Sequence, residues 1–279
     1  MLINFRTNYF RFFWITLAII IFIGCTQSQL IKPKFIPTSA QVIETVWLEK
    51  DVKKAIYDKI SQTIYVQTEN QILIYRDGKK INSIGQLGFT QNQFNRLSDI
   101  ALTPAGDLLA LDNFRKQIYR FDRDGSLISN LQIDYLSHPT LLEMSNDEKI
   151  YIYDSATNEI YLYDPMQPNN EFSFGEFTFN KPQQIGRFKN TIYVYDSNLD
   201  VTYLFNSFGQ EIDELAGQVV IDQFQKFQVG KYYLTHLNTG KKFQITAEEI
   251  KHCFAQSGYF TLIKSGKIEI MKIQYEKEN

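Results

Sequence analysis

Residues 150–155 read Ile-Tyr-Ile-Tyr-Asp-Ser, and residues 192–197 repeat this text as Ile-Tyr-Val-Tyr-Asp-Ser. The two copies lie 42 positions apart, and both alternate aliphatic and aromatic side chains as pleated, half-buried strands do. A period near 40 residues, carried by short strands, is the signature of a β-propeller in which each repeat forms one blade. We therefore predict an all-β protein with a single propeller domain.

Further strands continue the repeat in both directions. The second strands of the predicted blades begin at Ile64, Leu108, Ile150, Ile192, Tyr232 and Tyr259. Their spacings are 44, 42, 42, 40 and 27 residues. This predicts six blades, with five as the alternative because the last spacing is short. In the six-blade interpretation the fifth blade has Gln225–Val229 as its first strand, Tyr232–Leu234 as its second and Lys242–Ile245 as its third, and it lacks an outer strand.

The two ends of the domain contain complementary pieces of one blade. The last repeat ends at Ile273–Tyr275, which leaves no room for a fourth strand. The segment Gln41–Leu48 precedes the first complete blade and has strand character. Since an open sheet edge is a liability, we predict that this N-terminal strand completes the last blade and closes the ring.

The best-formed repeat spans residues 85–125. It begins with Gly85-Gln86-Leu87-Gly88, continues through Gln93-Phe94 and the strand text Asp99-Ile100-Ala101-Leu102, and closes at Gly125. This pattern resembles the NHL repeat, a propeller blade family. The resemblance covers about half of the chain, because it thins across residues 139–209 and leaves only strand rhythm from residue 218 onward. It implies propeller architecture.

The N-terminus has the features of an export signal. Arg6 and Arg11 precede an apolar run at residues 12–23, which is too short for a membrane-spanning helix. The run ends in Phe22-Ile23-Gly24-Cys25, which resembles the lipobox of bacterial lipoproteins. The resemblance implies a signal peptide at residues 1–24 and a lipidated Cys25. An uncleaved signal anchor and cleavage without lipid are the alternatives. Residues 25–40 then form a tether, and residues 41–279 form the propeller.

Charge and flanking sequence restrict the location and the partners. The chain after residue 24 has 27 Lys and Arg against 31 Asp and Glu, a net charge of about −4 that argues against nucleic-acid binding. Thr26 replaces the aspartate that retains enteric lipoproteins in the inner membrane. The resemblance thus implies an outer-membrane lipoprotein that faces the periplasm. We expect membrane contact through the lipidated N-terminus and a protein partner in the cell envelope.

Three aspartates recur at the ends of second strands, at Asp112, Asp154 and Asp196. A metal or acid–base role would need these residues to converge, whereas one residue per blade is distributed around a ring. We predict that each carboxylate accepts backbone N–H groups in its turn. The histidines at 138, 236 and 252 show no metal-ligand spacing.

The sequence contains no nucleophile elbow and no phosphate-binding loop. We therefore predict a non-enzymatic binding or scaffold module, with no catalytic residues, cofactor or metal. The alternative is a lactonase-type hydrolase with a divalent ion in the central channel, for which Asp99 and Glu143 are the candidate ligands. The alternating phenylalanines of residues 171–179 predict an outer strand packed between blades, or an exposed patch that binds a partner.

Overall fold

The computed structural model of this chain describes residues 35–48, 51–86, 88, 93–168, 172–222, 225–245, 248–256 and 258–277. The predicted signal peptide, Cys25 and most of the predicted tether lie outside these residues. The chain divides into two compact units, residues 1–36 with 276–279 and residues 37–275. Within the described ranges, no helix is both long enough and apolar enough to cross a membrane.

The larger unit is built from six sheets of four strands. The first two blades contain β2 (Lys54–Asp58), β3 (Thr63–Gln67), β4 (Ile72–Arg76), β5 (Lys79–Ile84), β6 (Leu97–Leu102), β7 (Leu108–Asp112), β8 (Gln117–Phe121) and β9 (Leu127–Gln132). The third and fourth contain β10 (Pro139–Met144), β11 (Ile150–Asp154), β12 (Glu159–Tyr163), β13 (Phe172–Phe174), β14 (Pro182–Phe188), β15 (Thr191–Asp196), β16 (Val201–Phe205) and β17 (Glu211–Ala216). The last two contain β18 (Val219–Asp222), β19 (Gln225–Val229), β20 (Tyr233–His236), β21 (Lys242–Gln244), β22 (His252–Gln256), β23 (Tyr259–Lys264), β24 (Lys267–Lys277) and β1 (Phe35–Trp47).

The blades are arranged around a channel lined by their first strands. The first strands contact one another in a closed cycle, from β2 through β6, β10, β14, β18 and β22 back to β2. The sheet orders place each first strand at one edge of its blade. This arrangement confirms the predicted all-β propeller with six blades.

Strand β1 is the outermost strand of the sixth blade, in the order β22-β23-β24-β1. The Leu48 N–H donates to the Gly266 carbonyl at 2.8 Å, and the Thr38 hydroxyl donates to the Gln274 carbonyl at 3.3 Å. The strand begins at Phe35. Residues 35–40, which the sequence predicted to be tether, are therefore part of a strand. The polar text and Pro37 suggested a linker, but proline is tolerated at a sheet edge, and Ala40 packs against the core of the last two blades.

The fifth blade corrects the strand assignment made from the sequence. Its first strand is Val219–Asp222, which was not predicted, so Gln225–Val229 is the second strand. The predicted second and third strands are therefore the third and fourth, and the blade does not lack an outer strand. Val219–Asp222 was missed because all four residues are buried, and a short run without polar alternation gives no strand period.

The apolar core is divided into six clusters, one at each junction between neighbouring blades. The junction of the fourth and fifth blades has the smallest cluster, with Tyr193, Leu204 and Ile221 as its buried members. Phe174 and Phe179 belong to the cluster between the third and fourth blades, while Phe177 is exposed. The alternating phenylalanines are thus mainly interior packing, as the outer-strand interpretation predicted.

Ring closure can be tested within β1. Val46 is 1% exposed and packs between the sixth and first blades, whereas Val42 on the same strand is 38% exposed. We expect Val46→Asp to lower the free energy of unfolding by about 3 kcal/mol or more, because it buries a charge without a partner. Val42→Asp is the matched control and should cost less than about 1 kcal/mol. Equal losses in urea denaturation would show that β1 does not contribute to the closed core.

Candidate binding site at the channel mouth

Charged side chains of the first strands connect neighbouring blades around the channel, from the first blade to the fourth. Lys54 Nζ donates to Asp99 Oδ1 at 2.8 Å, and Asp99 Oδ2 accepts the Leu142 N–H at 2.7 Å. This one carboxylate therefore connects three blades. Arg187 Nε donates to Glu143 Oε1 at 3.3 Å and connects the third blade to the fourth. Burial raises the pKa of Asp99, while the charge of Lys54 acts in the opposite direction.

Neutral groups complete this set of contacts. Gln218 Nε2 donates to Gln184 Oε1 at 2.6 Å and lies 3.5 Å from the Cys253 carbonyl, so it reaches from the fifth blade to the fourth and the sixth. Lys54 Nζ lies 5.7 Å from the centroid of the Phe254 ring, which connects the sixth blade to the first. Together with the charged pairs, these contacts form a belt of polar interactions that crosses all six blade junctions.

One end of the channel opens into a cavity of about 270 Å³, which we call the channel mouth. The loops between first and second strands surround it, and every blade contributes at least one residue. Its lining includes Asp58 and Lys59, Thr103 and Pro104, Glu143 and Asn146, Arg187 and Lys189, Asp222, and Gln256 and Gly258. A concave site with convergent polar groups is the usual form of a ligand-binding site.

Asp222 is the most deeply buried carboxylate of the channel mouth, at 2% exposure. The Tyr275 hydroxyl donates to its Oδ2 at 2.7 Å. Its Oδ1 has no hydrogen-bond partner among the described residues. Burial raises the pKa of Asp222, and the bonds to its carboxylate and the charge of Lys59 oppose that rise. The site thus presents one buried acceptor atom that the rest of the described chain leaves unused.

Glu143 forms the second acidic group of the channel mouth. Burial raises its pKa, and the charge of Arg187 acts against this effect. Arg187 also hydrogen-bonds the Asn146 side chain through Nη1, which holds the guanidinium at the cavity wall. The Tyr193 hydroxyl lies nearby, and burial together with the Glu143 charge raises the pKa of this phenol. The mouth therefore holds two carboxylates, Asp222 and Glu143, whose pKa values are both raised by burial.

The recurring aspartates lie away from this mouth and act as predicted. Asp154 accepts the N–H groups of Ser137 at 2.5 Å, His138 at 2.9 Å and Ala156 at 2.8 Å. Asp112 and Asp196 each accept backbone N–H groups in the same way, from their own turn and from the loop that enters the first strand. Each carboxylate ties one hairpin turn to the start of its blade, which confirms the structural role.

The candidate metal ligands are held by other partners. Asp99 pairs with Lys54 and Glu143 pairs with Arg187. His236 contacts Gln225 at 2.6 Å and Thr239 at 2.8 Å through its two ring nitrogens. In the part of the chain that the structure describes, no three His, Cys, Asp or Glu side chains come close enough to hold a metal ion. The geometry therefore offers no support for the metal-dependent hydrolase alternative.

Comparison with known proteins identifies similar folds. No protein-family model matches the sequence, and no curated protein is found as a relative. Selenomethionine-substituted virginiamycin B lyase from Staphylococcus aureus is 12% identical, with a TM-score of 0.57 over 85% of this chain and all of that chain. A catalytically inactive form of that lyase with quinupristin is also 12% identical, with a TM-score of 0.57 over 88% of this chain and 97% of the other. The Pan2 WD40 domain of Neurospora crassa is 12% identical, with a TM-score of 0.51 over 79% and 74%.

These similarities extend to the fold alone, yet they correct one expectation. The prediction that the protein is not an enzyme is wrong as an inference from the architecture, because proteins that share this fold include a lyase. The repeated strands and structural aspartates do not determine which residues line the channel mouth, so those residues can differ from blade to blade. Function depends on such sites and not on the fold alone.

Sequence reasoning identified Glu143 and Asp99 as channel residues but missed Asp222, Arg187 and Tyr275. Asp222 was missed because the fifth blade was assigned one strand too late. The run Val219–Ile221, which follows Gly217-Gln218, is the signal that could have found it. Asp222 is the last residue of its first strand and Glu143 the next-to-last of its own, and both line the mouth.

The role of Asp154 predicts a stability effect without an effect on the channel mouth. We expect Asp154→Ala to lower the free energy of unfolding by about 2–4 kcal/mol, because three backbone N–H groups lose their acceptor. Asp213→Ala is the control, since that exposed carboxylate pairs with Lys226 at the surface and should cost less than about 1 kcal/mol. Chemical denaturation of both variants measures the difference, and a silent Asp154→Ala would contradict the structural role.

The raised pKa of Asp222 predicts a pH-dependent contribution to stability. Since its folded pKa lies above the ordinary value of 3.8, the stabilising contribution is complete below that value and is lost as pH rises through the folded pKa. The non-titrating variant Asp222→Asn should therefore gain stability relative to the wild type as the pH rises above the ordinary carboxyl pKa of 3.8 and through the raised folded pKa. Urea denaturation at several pH values tests this, and a constant difference would show that the pKa is not raised.

Proposed function

We propose that this protein is a lipid-anchored β-propeller of the bacterial cell envelope, which binds a protein partner through the channel mouth. The single observation that carries the binding role is the buried Oδ1 of Asp222, an acceptor without a partner among the described residues, on a residue that lines a cavity to which all six blades contribute. Buried polar atoms are normally paired, so this atom favours a ligand that supplies the missing donor.

The anchoring part of the proposal rests on the sequence Phe22-Ile23-Gly24-Cys25 and on the apolar run before it. In this proposal Cys25 carries the lipid, and Thr26 directs the protein to the outer membrane, where it faces the periplasm. An anchored protein that presents a cavity built from many loops is suited to hold a partner close to the membrane surface.

The anchor is tested by cell fractionation. We expect Cys25→Ser to move the protein from the membrane fraction to the soluble fraction, because the thiol that accepts the lipid is gone. Ser28→Ala, three residues downstream, is the matched control and should remain with the membrane. Retention of Cys25→Ser in the membrane pellet after an alkaline wash would rule out the lipid anchor.

The binding role is tested by affinity capture from gently solubilised envelopes. We expect the wild type to retain a stoichiometric protein partner, and Asp222→Asn to lose at least tenfold in affinity for it, because a buried acceptor is removed. Phe177→Ala is the control, since this exposed side chain is not among the residues that line the mouth. Undiminished capture by Asp222→Asn would show that the partner does not use the mouth.

An acid–base enzyme acting at the same mouth is the second candidate. It is favoured by the raised pKa values of Glu143 and Asp222 in one concave site, because general acid–base catalysis needs carboxyl groups tuned toward neutral pH. Quinupristin, present with the structurally similar lyase, is a practical first substrate. If the wild type consumes it and Glu143→Gln does not, catalysis replaces partner binding as the conclusion.

A further inference from the structure

The carboxylates of the channel mouth differ in their partners. Asp58 lies 3.6 Å from Arg123 and accepts two backbone N–H groups. Glu143 pairs with Arg187 at 3.3 Å. Asp222 accepts the neutral Tyr275 hydroxyl and the Gly258 N–H, Lys59 acts on it through its charge, and its Oδ1 has no hydrogen-bond partner among the described residues. Asp222 is therefore the acidic group of the mouth that keeps a buried acceptor atom for a ligand.

An ammonium group suits this position better than a neutral donor. It carries three N–H donors and no acceptor, so that it can satisfy Oδ1 and compensate the buried charge together. Charge-assisted hydrogen bonds of this kind are roughly twice as strong as neutral ones. In a polypeptide partner, the flexible four-carbon stem of lysine carries such a group into a narrow cavity.

A second cavity lies beside the channel mouth. It has a volume of about 410 Å³, lies between the third and fourth blades, and shares Lys189 with the channel mouth. Leu162, Phe172 and Phe208 form its apolar wall, and Phe208 is 76% exposed. We call this second cavity the blade 3–4 groove. Exposed aromatic side chains beside polar groups are typical of interface centres.

Resting on the proposed function, we propose that the partner binds as an extended peptide segment, with a lysine ammonium on Asp222 in the channel mouth and an aromatic side chain in the blade 3–4 groove. In an extended chain, side chains two positions apart project to the same side. A lysine and a phenylalanine with this spacing therefore face the same side of the segment, and the two cavities that would receive them share Lys189.

Three blocked peptides test this inference by isothermal calorimetry. The probe is acetyl-Gly-Lys-Gly-Phe-Gly-amide, and its matched controls replace the lysine with glutamine or the phenylalanine with alanine. We expect the probe to bind at least tenfold more tightly than the glutamine peptide, because only the ammonium pairs with the buried carboxylate. The alanine peptide should bind about fivefold more weakly than the probe, because it loses the apolar contact.

Two variants assign the contacts. Asp222→Asn should remove the preference for lysine over glutamine, and Phe208→Ala should remove the preference for phenylalanine over alanine while leaving the lysine preference intact. A lysine preference that survives Asp222→Asn would overturn the proposal, as would equal binding of all three peptides. If the peptides fail while the captured partner still depends on Asp222, the ligand chemistry is wrong and the proposed function stands.

Discussion

The structure depends on the placement of the N-terminal strand beside the last strand of the chain. In a propeller each blade packs against two neighbours, and here the sheet at the final junction is assembled from both chain ends. Strand β1 completes that sheet, and its Val46 enters the core between the sixth and first blades. The cycle of first strands, and therefore the channel and its mouth, follows from this closure.

The interior of the channel is held by polar contacts rather than by an apolar core. Buried ion pairs are costly to desolvate, and here every carboxylate of the belt is compensated by more than one partner. Asp99 has both a lysine and a backbone N–H, and Glu143 has an arginine and the Met144 N–H. Asp222, at the level of the mouth, differs because its buried Oδ1 has no hydrogen-bond partner among the described residues. When one polar atom has no hydrogen bond in a network whose other atoms are paired, that atom indicates a binding site that is kept at some cost in folding stability.

Much of the fold could be predicted because strand-forming residues recur in the sequence at a nearly constant spacing. The aspartates at 112, 154 and 196 revealed both the period and their own structural role, since their hydrogen bonds are local to each blade. The fifth blade could not be assigned because its strands have only three to five residues and Val219–Asp222 is wholly buried. The mouth was predicted only in part, because its residues come from all six blades and their convergence is a property of the closed ring. Glu143 could be placed from its strand, but the pairing with Arg187, 44 residues away, depends on how two blades pack.

The six blade junctions are unequal, and this has a mechanical consequence. Among the residues that the structure describes, the buried apolar cluster between the fourth and fifth blades has three members, whereas the cluster at each other junction has ten or more. On heating, a ring of packed blades opens first at the junction that has the fewest buried apolar contacts. Backbone amide protons at the junction of the fourth and fifth blades are therefore expected to exchange with solvent through the smallest local openings of the native structure. Asp222 follows Ile221, a member of this small cluster, so the junction with the least buried apolar contact borders a buried acceptor that has no partner among the described residues.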